Sequence, residues 1–424
     1  MKIRVFQSDK GDCLLLTSRT GASVLVDGGT ADSFTTHVQP FLGQMAAAGK
    51  DLDLVYVSHI DQDHIAGVLQ LLDNTMLWRV HDYRKAKGLS TKVPSVPRMP
   101  RVAGIWHNAF SMLIGQNAGE AENLLAQSSR LLSLSADSQW THAAAEHHEL
   151  AYSIAEAIQV SRRVSADQLA ISLNAQFGGM LILTREPAET AATIGGMTLR
   201  VVGPFAEDVD ALKAEWNEWL RSHKERLSGL RAKAKDDAAK IGHSGDALAS
   251  GLDILLKQLG NRAAVTAPNL ASVMLLVEEQ GKKVLLTGDG HADDIVAGLE
   301  HHRKLTAHKP LHVDVLKFQH HGSEHNVNGD FCRRIFADHY IFCGNGKHEN
   351  PDLDAVKLLL RVNGHERPNT PYKLWFNCSA DQAPAGGASE HMRRLASIVS
   401  EHAKTSAGRV SFAFLEQSSI EFEV

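Results

Sequence analysis

The feature that most constrains the fold is a run of potential metal ligands directly after a short apolar strand. Leu52-Asp53-Leu54-Val55-Tyr56-Val57 has the pattern of a buried strand and ends at Ser58-His59-Ile60-Asp61-Gln62-Asp63-His64. Residues 66–72 then begin a helical pattern, so Asp63 and His64 are predicted to lie in a loop that leads into a helix. Such loops commonly carry the chemistry of α/β proteins. The sequence therefore predicts an α/β fold with a polar site at a strand end.

The residue types in this run favour a metal site. His59, Asp61, Asp63 and His64 are hard or borderline donors of the kind that bind zinc, manganese or iron. Uncompensated burial of one such group costs several kcal/mol, so a cluster persists only when a cation or a hydrogen-bond network satisfies it. The alternative is a polar loop at the surface. We predict that these four residues bind metal.

Two later strand ends offer further ligands. Thr287-Gly288-Asp289 follows a strand-like segment, and so does His320-His321-Gly322-Ser323. Each is ambiguous by itself, because Gly-Asp is a common turn dipeptide and a histidine pair is common near a surface. Together with the first motif, they predict Asp289, His320 and His321 as further metal ligands.

Composition limits the type of metal site and the cellular compartment to be expected. Histidine is abundant, with 23 residues against 14 Phe, and the four cysteines form no C-x-x-C pair, which excludes a cysteine-based zinc site and favours a reducing cytoplasm. The formal net charge of -5 argues against a surface that coats nucleic acid, although a local basic groove is compatible with it. No apolar run reaches the roughly 20 residues of a membrane-spanning helix, so no membrane association is expected.

The chain is predicted to form a single domain over residues 1–424 with two helical insertions. Strand-like segments fall near residues 3–6, 13–17, 23–27, 169–173, 180–184, 197–202, 272–277, 283–287, 313–318 and 340–343. Residues 86–165 are polar, Ala-rich and helical in pattern, and residues 206–259 have helix-face spacing among many charges. The second insertion is more simply interpreted as a solvated amphipathic hairpin than as a binding surface.

These motifs together resemble the metallo-β-lactamase superfamily, and within it the branch that contains the hydrolase domain of bacterial competence DNA-uptake proteins. The resemblance covers about two thirds of the chain and omits the insertions. Its motifs, in chain order, are Gly11-Asp12-Cys13, Leu25-Val26-Asp27-Gly28-Gly29, the run from Ser58 through Gly67, Asn269-x-x-Ser272, Thr287-Gly288-Asp289, His320-His321-Gly322-Ser323 and Gly344-Asn345-Gly346-Lys347-His348-Glu349-Asn350-Pro351. The fold it implies is an α/β sandwich of αββα layers.

The sequence departs from the superfamily pattern at two points. Asp61 stands where a second histidine is usual, as in the competence-protein branch, and no counterpart is visible for the histidine between the first motif and the bridging Asp289. The second metal position, which the resemblance assigns to Asp63, His64, Asp289 and either His320 or His321, is therefore better supported than the first. The cofactor is predicted as one or two divalent ions, Zn²⁺ or Mn²⁺.

The resemblance implies hydrolysis, most directly of phosphodiesters by a nuclease (EC 3.1). A metal-activated water is expected as the nucleophile, oriented by Asp63. His348, or the member of the His320–His321 pair that does not bind metal, is a candidate general acid or phosphate ligand, and Ser323 can donate a hydrogen bond to the same group. The expected partner is nucleic acid or another phosphodiester.

Two alternatives stay open at this point. One is hydrolysis of a small phosphoester, lactone or other ester, because one fold hosts many chemistries. The other is a regulatory or partner-binding protein with a structural metal site, in which the helical insertions bind a protein partner or act as a lid.

Overall fold

The structure is a computed structural model of the 424-residue chain. It describes residues 1–109, 112–113, 138–185, 190–214, 217–218, 221, 271–306 and 309–424, and of residues 138–150 it describes the backbone alone. All statements on elements below concern these ranges.

The first sheet combines an antiparallel half with a parallel half. Its strands are β1 (Lys2–Phe6), β2 (Leu14–Thr17), β3 (Ser23–Val26), β4 (Leu54–Tyr56), β5 (Gly104–Trp106), β6 (Ser172–Leu173) and β15 (Ser419–Glu423). The order across the sheet is β15-β1-β2-β3-β4-β5-β6, and β3 through β6 run parallel. The carboxyl ends of β3, β4 and β5 therefore meet at one edge.

The second sheet has the same mixed character. Its strands are β7 (Ala191–Ile194), β8 (Met197–Gly203), β9 (Met274–Glu279), β10 (Lys282–Leu286), β11 (Leu311–Lys317), β12 (Ile335–Phe342), β13 (Tyr372–Phe376) and β14 (Val410–Phe414). They lie in the order β14 back to β7, with β10 through β14 parallel. Consequently β10 and β11 also deliver the residues that follow them to a common edge.

Helices cover the outer face of each sheet. They are α1 (Ala31–Ser33), which continues through a π-helical turn (Phe34–Val38) into α2 (Gln39–Ala47), then α3 (Gln62–Ala86), α4 (Ser138–Val164), α5 (Ala292–His301), α6 (Gly329–Arg334), α7 (Leu353–Glu366) and α8 (Gly387–Thr405). Short 3₁₀ turns lie at Ala175–Phe177, Gln319–Gly322, Glu324–Asn326 and Lys347–Glu349.

Strand β2 illustrates how the sequence builds these layers. Successive side chains of a strand point to opposite faces. Leu14 and Leu16 accordingly belong to the apolar cluster between the sheets, which also contains Leu275 of β9, whereas Leu15 belongs to the cluster that contains Ile154 of α4. A third apolar cluster joins the other face of the second sheet to α5, α7 and α8. The predicted αββα sandwich is thus the observed fold class.

Several segments differ from the sequence-based expectations. Residues 104–106, inside the predicted insertion 86–165, form strand β5 of the first sheet, while α4 supplies the helical part. Most of the second predicted insertion, 206–259, lies outside the described residues, as does Asn269. Residues 180–184 form no regular strand; at Ile182 the Asn108 side chain bonds both the N–H and the C=O that a neighbouring strand would otherwise bond.

Candidate metal centre

Five strand ends converge on one region between the two sheets. Asp27 follows β3, His59 lies three residues past β4, and His107 directly follows β5. From the second sheet, Asp289 lies three residues past β10, and His321 lies four residues past β11. All five side chains are buried. The site thus forms at the edge where the parallel strands end, as in other open α/β sheets.

Helix α3 supplies the remaining part of the first motif. It begins at Gln62 with Asp61 as its N-cap, so Asp63 and His64 lie in its first turn. The prediction that they lie in a loop before the helix was wrong. The apolar pattern of the helix begins only after these polar residues, so no feature of the sequence indicated that its first turn includes them.

The start of α3 is held against the loop after β3 by close backbone packing. The Gly28 N–H donates to His64 O at 2.8 Å, and the Gly67 N–H donates to Gly29 O at 3.0 Å. A Cβ atom at Gly67 would overlap the Gly28 carbonyl. Glycine at these two positions therefore allows the contact that fixes His64 in the site.

Four buried residues from four parts of the chain form the tightest group. Asp12, His64, Asp289 and His321 each offer a ligand atom, and these atoms all lie within 4.8 Å of one another. The His64 and His321 Nε2 atoms are 3.4 Å apart, and each is 3.4 Å from an oxygen of Asp289. Asp63 joins them, with its Oδ2 atom 3.2 Å from His321 Nε2.

Asp12 was not among the residues predicted for the site, although its Gly11-Asp12 motif was noted. It approaches His321 Nδ1 to 3.2 Å and forms a buried ion pair with Lys317 Nζ. Burial alone would raise the pKa of Asp12, but the charges of Lys317 and His64 lower it to about 2. Lys317 also donates to Gly288 O at 3.1 Å, and so links Asp12 to the turn that carries Asp289.

Asp27 orients His64 from the opposite side. Its carboxylate accepts hydrogen bonds from the Ser58 N–H at 2.7 Å and from the Ser58 hydroxyl at 2.8 Å, and lies 3.0 Å from His64 Nδ1. A carboxylate on one ring nitrogen sets the tautomer and aims the other nitrogen, which is the usual outer support of a metal-binding histidine. Sequence reasoning quoted Asp27 in a motif but gave it no role.

Carboxylates surround the imidazole rings of this group. Burial would lower the pKa of His64, but Asp289, Asp12 and Asp27 together raise it well above its usual value. Burial is likewise outweighed at His321, where Asp289 and Asp12 raise the pKa. In the same way His321 and His64 hold the pKa of Asp289 well below its usual value, against its burial. The group therefore attracts positive charge, as protons or as a metal ion.

A second group surrounds His59. Its Nε2 atom lies 3.4 Å from Asp61 Oδ2 and 3.6 Å from Asp289 Oδ2, and it has no hydrogen-bond partner within the described ranges. His107 is fully buried, and neither of its ring nitrogens has a partner among the described residues. Burial, and less strongly the nearby His59, lowers the pKa of His107 to about 3. This ring is thus a neutral imidazole, which is the form that binds metal.

The sequence showed no clear counterpart of the superfamily's histidine between the first motif and Asp289, and His107 is a buried histidine of that interval near His59. Asn174 fixes its backbone: the His107 N–H donates to Asn174 Oδ1, and the Asn174 amide donates to His107 O, both at 2.9 Å. The signal in the sequence was weak, because the preceding strand, Gly104–Trp106, has only three residues and lay within the predicted helical insertion.

The two histidines after β11 have different surroundings. His321 belongs to the tight group, whereas His320 Nε2 is 3.8 Å from Asp289 Oδ2 and its Nδ1 atom bonds Asn326 Oδ1 at 2.7 Å. Both have left-handed backbone, with φ of 45° and 55°. Such a conformation costs a non-glycine residue about 1–3 kcal/mol and tends to occur at functional sites. This backbone conformation directs two consecutive residues toward the site.

The two remaining predicted residues lie farther out. The Ser323 hydroxyl caps the next 3₁₀ turn by accepting from the His325 N–H at 3.4 Å. His348 is exposed in the turn Lys347–Glu349, with φ of 54°. The four-residue group includes neither residue.

The donor set fits one or two divalent cations. Buried polar atoms without a hydrogen-bond partner among the described residues include His59 Nε2, both His107 nitrogens and Asp289 Oδ1. Leaving such atoms unsatisfied costs roughly 1–3 kcal/mol each, and a cation would satisfy one nitrogen of each ring together with the Asp289 oxygen. Imidazole nitrogens with carboxylate oxygens suit zinc, manganese or iron.

Comparison with known proteins supports this interpretation for the first quarter of the chain. The family model of the metallo-beta-lactamase superfamily matches residues 9–109, a range that contains Asp12, Asp27, the first motif and His107. No curated protein matches the chain significantly. The family match and the buried histidine–aspartate group together support a metal-dependent hydrolase. None of the helices within the described ranges is long and apolar enough to cross a membrane.

Proposed function

We propose that this chain is a metal-dependent phosphodiesterase acting on nucleic acid or a related phosphodiester. The observation that carries the proposal is the convergence of buried imidazoles and carboxylates, several with unsatisfied ligand atoms, at the strand ends. His59, Asp61 and His107 would hold one ion, and Asp63, His64 and His321 another, with Asp289 reaching both.

The charge of the site supports two ions rather than one. Asp12, Asp27, Asp61, Asp63 and Asp289 bring five carboxylates together, and within the described residues Lys317 forms a buried ion pair with one of them, Asp12. With neutral imidazoles, four negative charges are left, which two divalent cations would balance. A buried cluster far from neutrality is strongly unfavourable.

Bound divalent ions would supply an activated water and neutralise charge on a phosphoryl group. The protein's own residues would orient and exchange protons around that reaction. Asp63 is partly exposed and next to His321, so its carboxylate can accept a hydrogen bond from the attacking water. His320, with 30% of its side chain exposed, could supply a proton to a leaving oxygen.

Cationic side chains in the loops beside the site favour an anionic substrate. Lys10 lies near enough to help lower the pKa of Asp63, after the larger effects of burial, His321 and His64. Lys347 Nζ lies 3.4 Å from Asp9 Oδ2 on the neighbouring loop. Because the whole chain carries a net charge of -5, recognition of a phosphodiester would depend on such local charges. The resemblance of the motifs to the competence-protein branch points to the same substrate class.

The proposal is tested with purified protein loaded separately with Zn²⁺ and Mn²⁺. The substrates are single- and double-stranded DNA, RNA, bis-p-nitrophenyl phosphate, a lactone and a carboxylic ester. Asp63→Asn and Asp289→Asn should each lower phosphodiester hydrolysis more than ~100-fold, beyond the loss typical for residues that only support ligands. Asp338→Asn is the control, because Asp338 pairs with His312 at the surface. Hydrolysis of the ester or lactone alone would refute the phosphodiester assignment.

A further inference from the structure

The N-terminus of α3 is capped in an unusual way. An aspartate at an N-cap usually accepts a hydrogen bond from a backbone N–H of the first turn. Asp61 has N-cap backbone geometry, with ψ of 144°, but its side chain makes no capping hydrogen bond. Its Oδ2 atom instead lies 3.4 Å from His59 Nε2. The carboxylate is therefore turned toward the metal centre and not toward its own helix.

Helix α4 provides an acceptor in place of that carboxylate. The Gln62 N–H, the first of α3, donates to Ser153 Oγ at 3.0 Å, and Ser153 is buried. One turn further along α4, Glu156 lies near enough to the Gln62 side chain to interact with it. Two residues on the same face of α4 thus lie against Gln62, and Ser153 bonds its backbone.

Gln62 lies between Asp61 and Asp63 in the sequence. The orientation of its peptide therefore sets the direction of both neighbouring carboxylates. An unsatisfied helix N–H at this position would compete for the Asp61 carboxylate, because a short acidic side chain next to a helix start bonds that backbone readily. The Ser153 hydroxyl removes part of this competition and leaves Asp61 available to a cation.

We propose that Ser153 and Glu156 are positioning residues that tune the metal affinity of the centre through Gln62. The proposal rests on the metal-binding part of the proposed function, and it assigns to α4 a role that its sequence pattern did not indicate. Loss of an outer-shell partner of this kind typically costs 10–100-fold in metal affinity or activity.

The experiment measures Zn²⁺ and Mn²⁺ binding to the full-length chain by competition with a chelator of known affinity. Ser153→Ala should raise the metal dissociation constant about 10–100-fold. Ser153→Thr, which keeps a hydroxyl, should restore the affinity to within about threefold of wild type. Ser161→Ala is the matched control on the same helix, because the bond of the Ser161 hydroxyl among the described residues goes to Ala157 O, one turn back. It should leave the affinity unchanged.

Thermal unfolding of the metal-free proteins separates positioning from a general loss of stability. Equal melting temperatures for Ser153→Ala and Ser161→Ala, together with a lower metal affinity for Ser153→Ala alone, would support the proposal. If Ser153→Ala does not fold, Glu156→Ala is measured in the same way and should weaken metal binding about tenfold. Wild-type affinity in the folded variant would overturn the proposal.

The outcomes also separate this proposal from the proposed function. If the wild-type protein cleaves phosphodiesters while Ser153→Ala binds metal normally, only the positioning role fails. If the wild-type protein binds metal but cleaves no phosphodiester, the proposed function fails, and the affinities of the Ser153 variants still decide the positioning role. A wild-type protein that binds neither metal would overturn both.

Discussion

The two halves of the metal centre differ in how the protein satisfies their polar atoms. Around His64 and His321, carboxylates contact the rings and raise both pKa values. Around His59 and His107, three of the four ring nitrogens have no hydrogen-bond partner among the described residues, and the pKa of His107 is lowered.

This contrast indicates that the halves depend on metal to different degrees. The His64 half can balance its charges with protons and with Lys317 when no cation is bound, so its geometry is set in advance. The His107 half carries the full cost of burying unpaired nitrogens until a cation binds. Metal binding at the His107 half should therefore contribute more directly to stability, since ligand binding to the folded state stabilises it by mass action.

The largest expected effect comes from removing the cation that balances the buried carboxylates of the His64 half. Lys317→Met leaves the Asp12 carboxylate buried without its cationic partner, and we expect a loss of about 3–5 kcal/mol in the free energy of unfolding. Urea unfolding in the presence of a chelator measures it. Lys282→Met is the control, because the Lys282–Asp314 pair of the same sheet is partly exposed and such pairs contribute about 0–1 kcal/mol. Equal losses in the two variants would contradict the role given to Lys317.

A smaller effect of opposite sign should appear in the His107 half. His107→Leu removes two unpaired buried nitrogens at similar volume, and should stabilise the metal-free protein by about 1–3 kcal/mol. His64→Leu should destabilise it, because Asp27 and Asp289 lose a cationic neighbour. Urea unfolding with chelator tests both variants.

Excess metal should reverse the result for His107. The variant then lacks a ligand that the wild-type protein uses, so it should gain less stability from metal and retain fewer ions by elemental analysis. If His107→Leu destabilised the metal-free protein as much as His64→Leu does, the two halves would not differ as described.

The smallest effect concerns Glu156, which contacts Gln62 between the two halves. Burial raises the pKa of Glu156 to about 7, although its interaction with Gln62 opposes the shift. The folded state then binds the proton more tightly than the unfolded state, so this stabilising contribution is full below about pH 4.5 and is lost as the pH rises to about 7. Glu156→Gln should flatten that decline by less than about 1 kcal/mol, since Glu156 is partly exposed to solvent.

The measurement is the free energy of unfolding of the metal-free protein between pH 5 and 8. Glu401→Gln, on the exposed face of α8, is the control and should leave the slope as in wild type. A slope in Glu156→Gln that equals that of the wild-type protein would show that Glu156 does not titrate in this range.

The fold class and the first motif were predictable because both depend on local pattern. The strand before His59 and the strands before Asp289 and His320 are apolar runs followed by turn residues, and parallel strand ends share an edge. The same reasoning could not find His107, whose strand is three residues long, nor the pairing of Asp12 with Lys317. That pairing joins residues far apart in sequence and becomes visible only when the two sheets pack. Segments after residue 351 had no predicted role, yet they form two strands of the second sheet and the edge strand of the first.

The pairing of β1 with β15 has a consequence for how the protein is made. Strand β1 finds this neighbour only among the last residues described, with Phe6 opposite Ser419. The centre is equally dispersed, because His59 and His64 leave the ribosome long before Asp289 and His321. An ion that binds before the second sheet has formed would find only part of its ligands and would therefore be held weakly. We therefore expect metal to bind only after the two sheets have formed, and partly folded chains with exposed strand edges to be prone to aggregation.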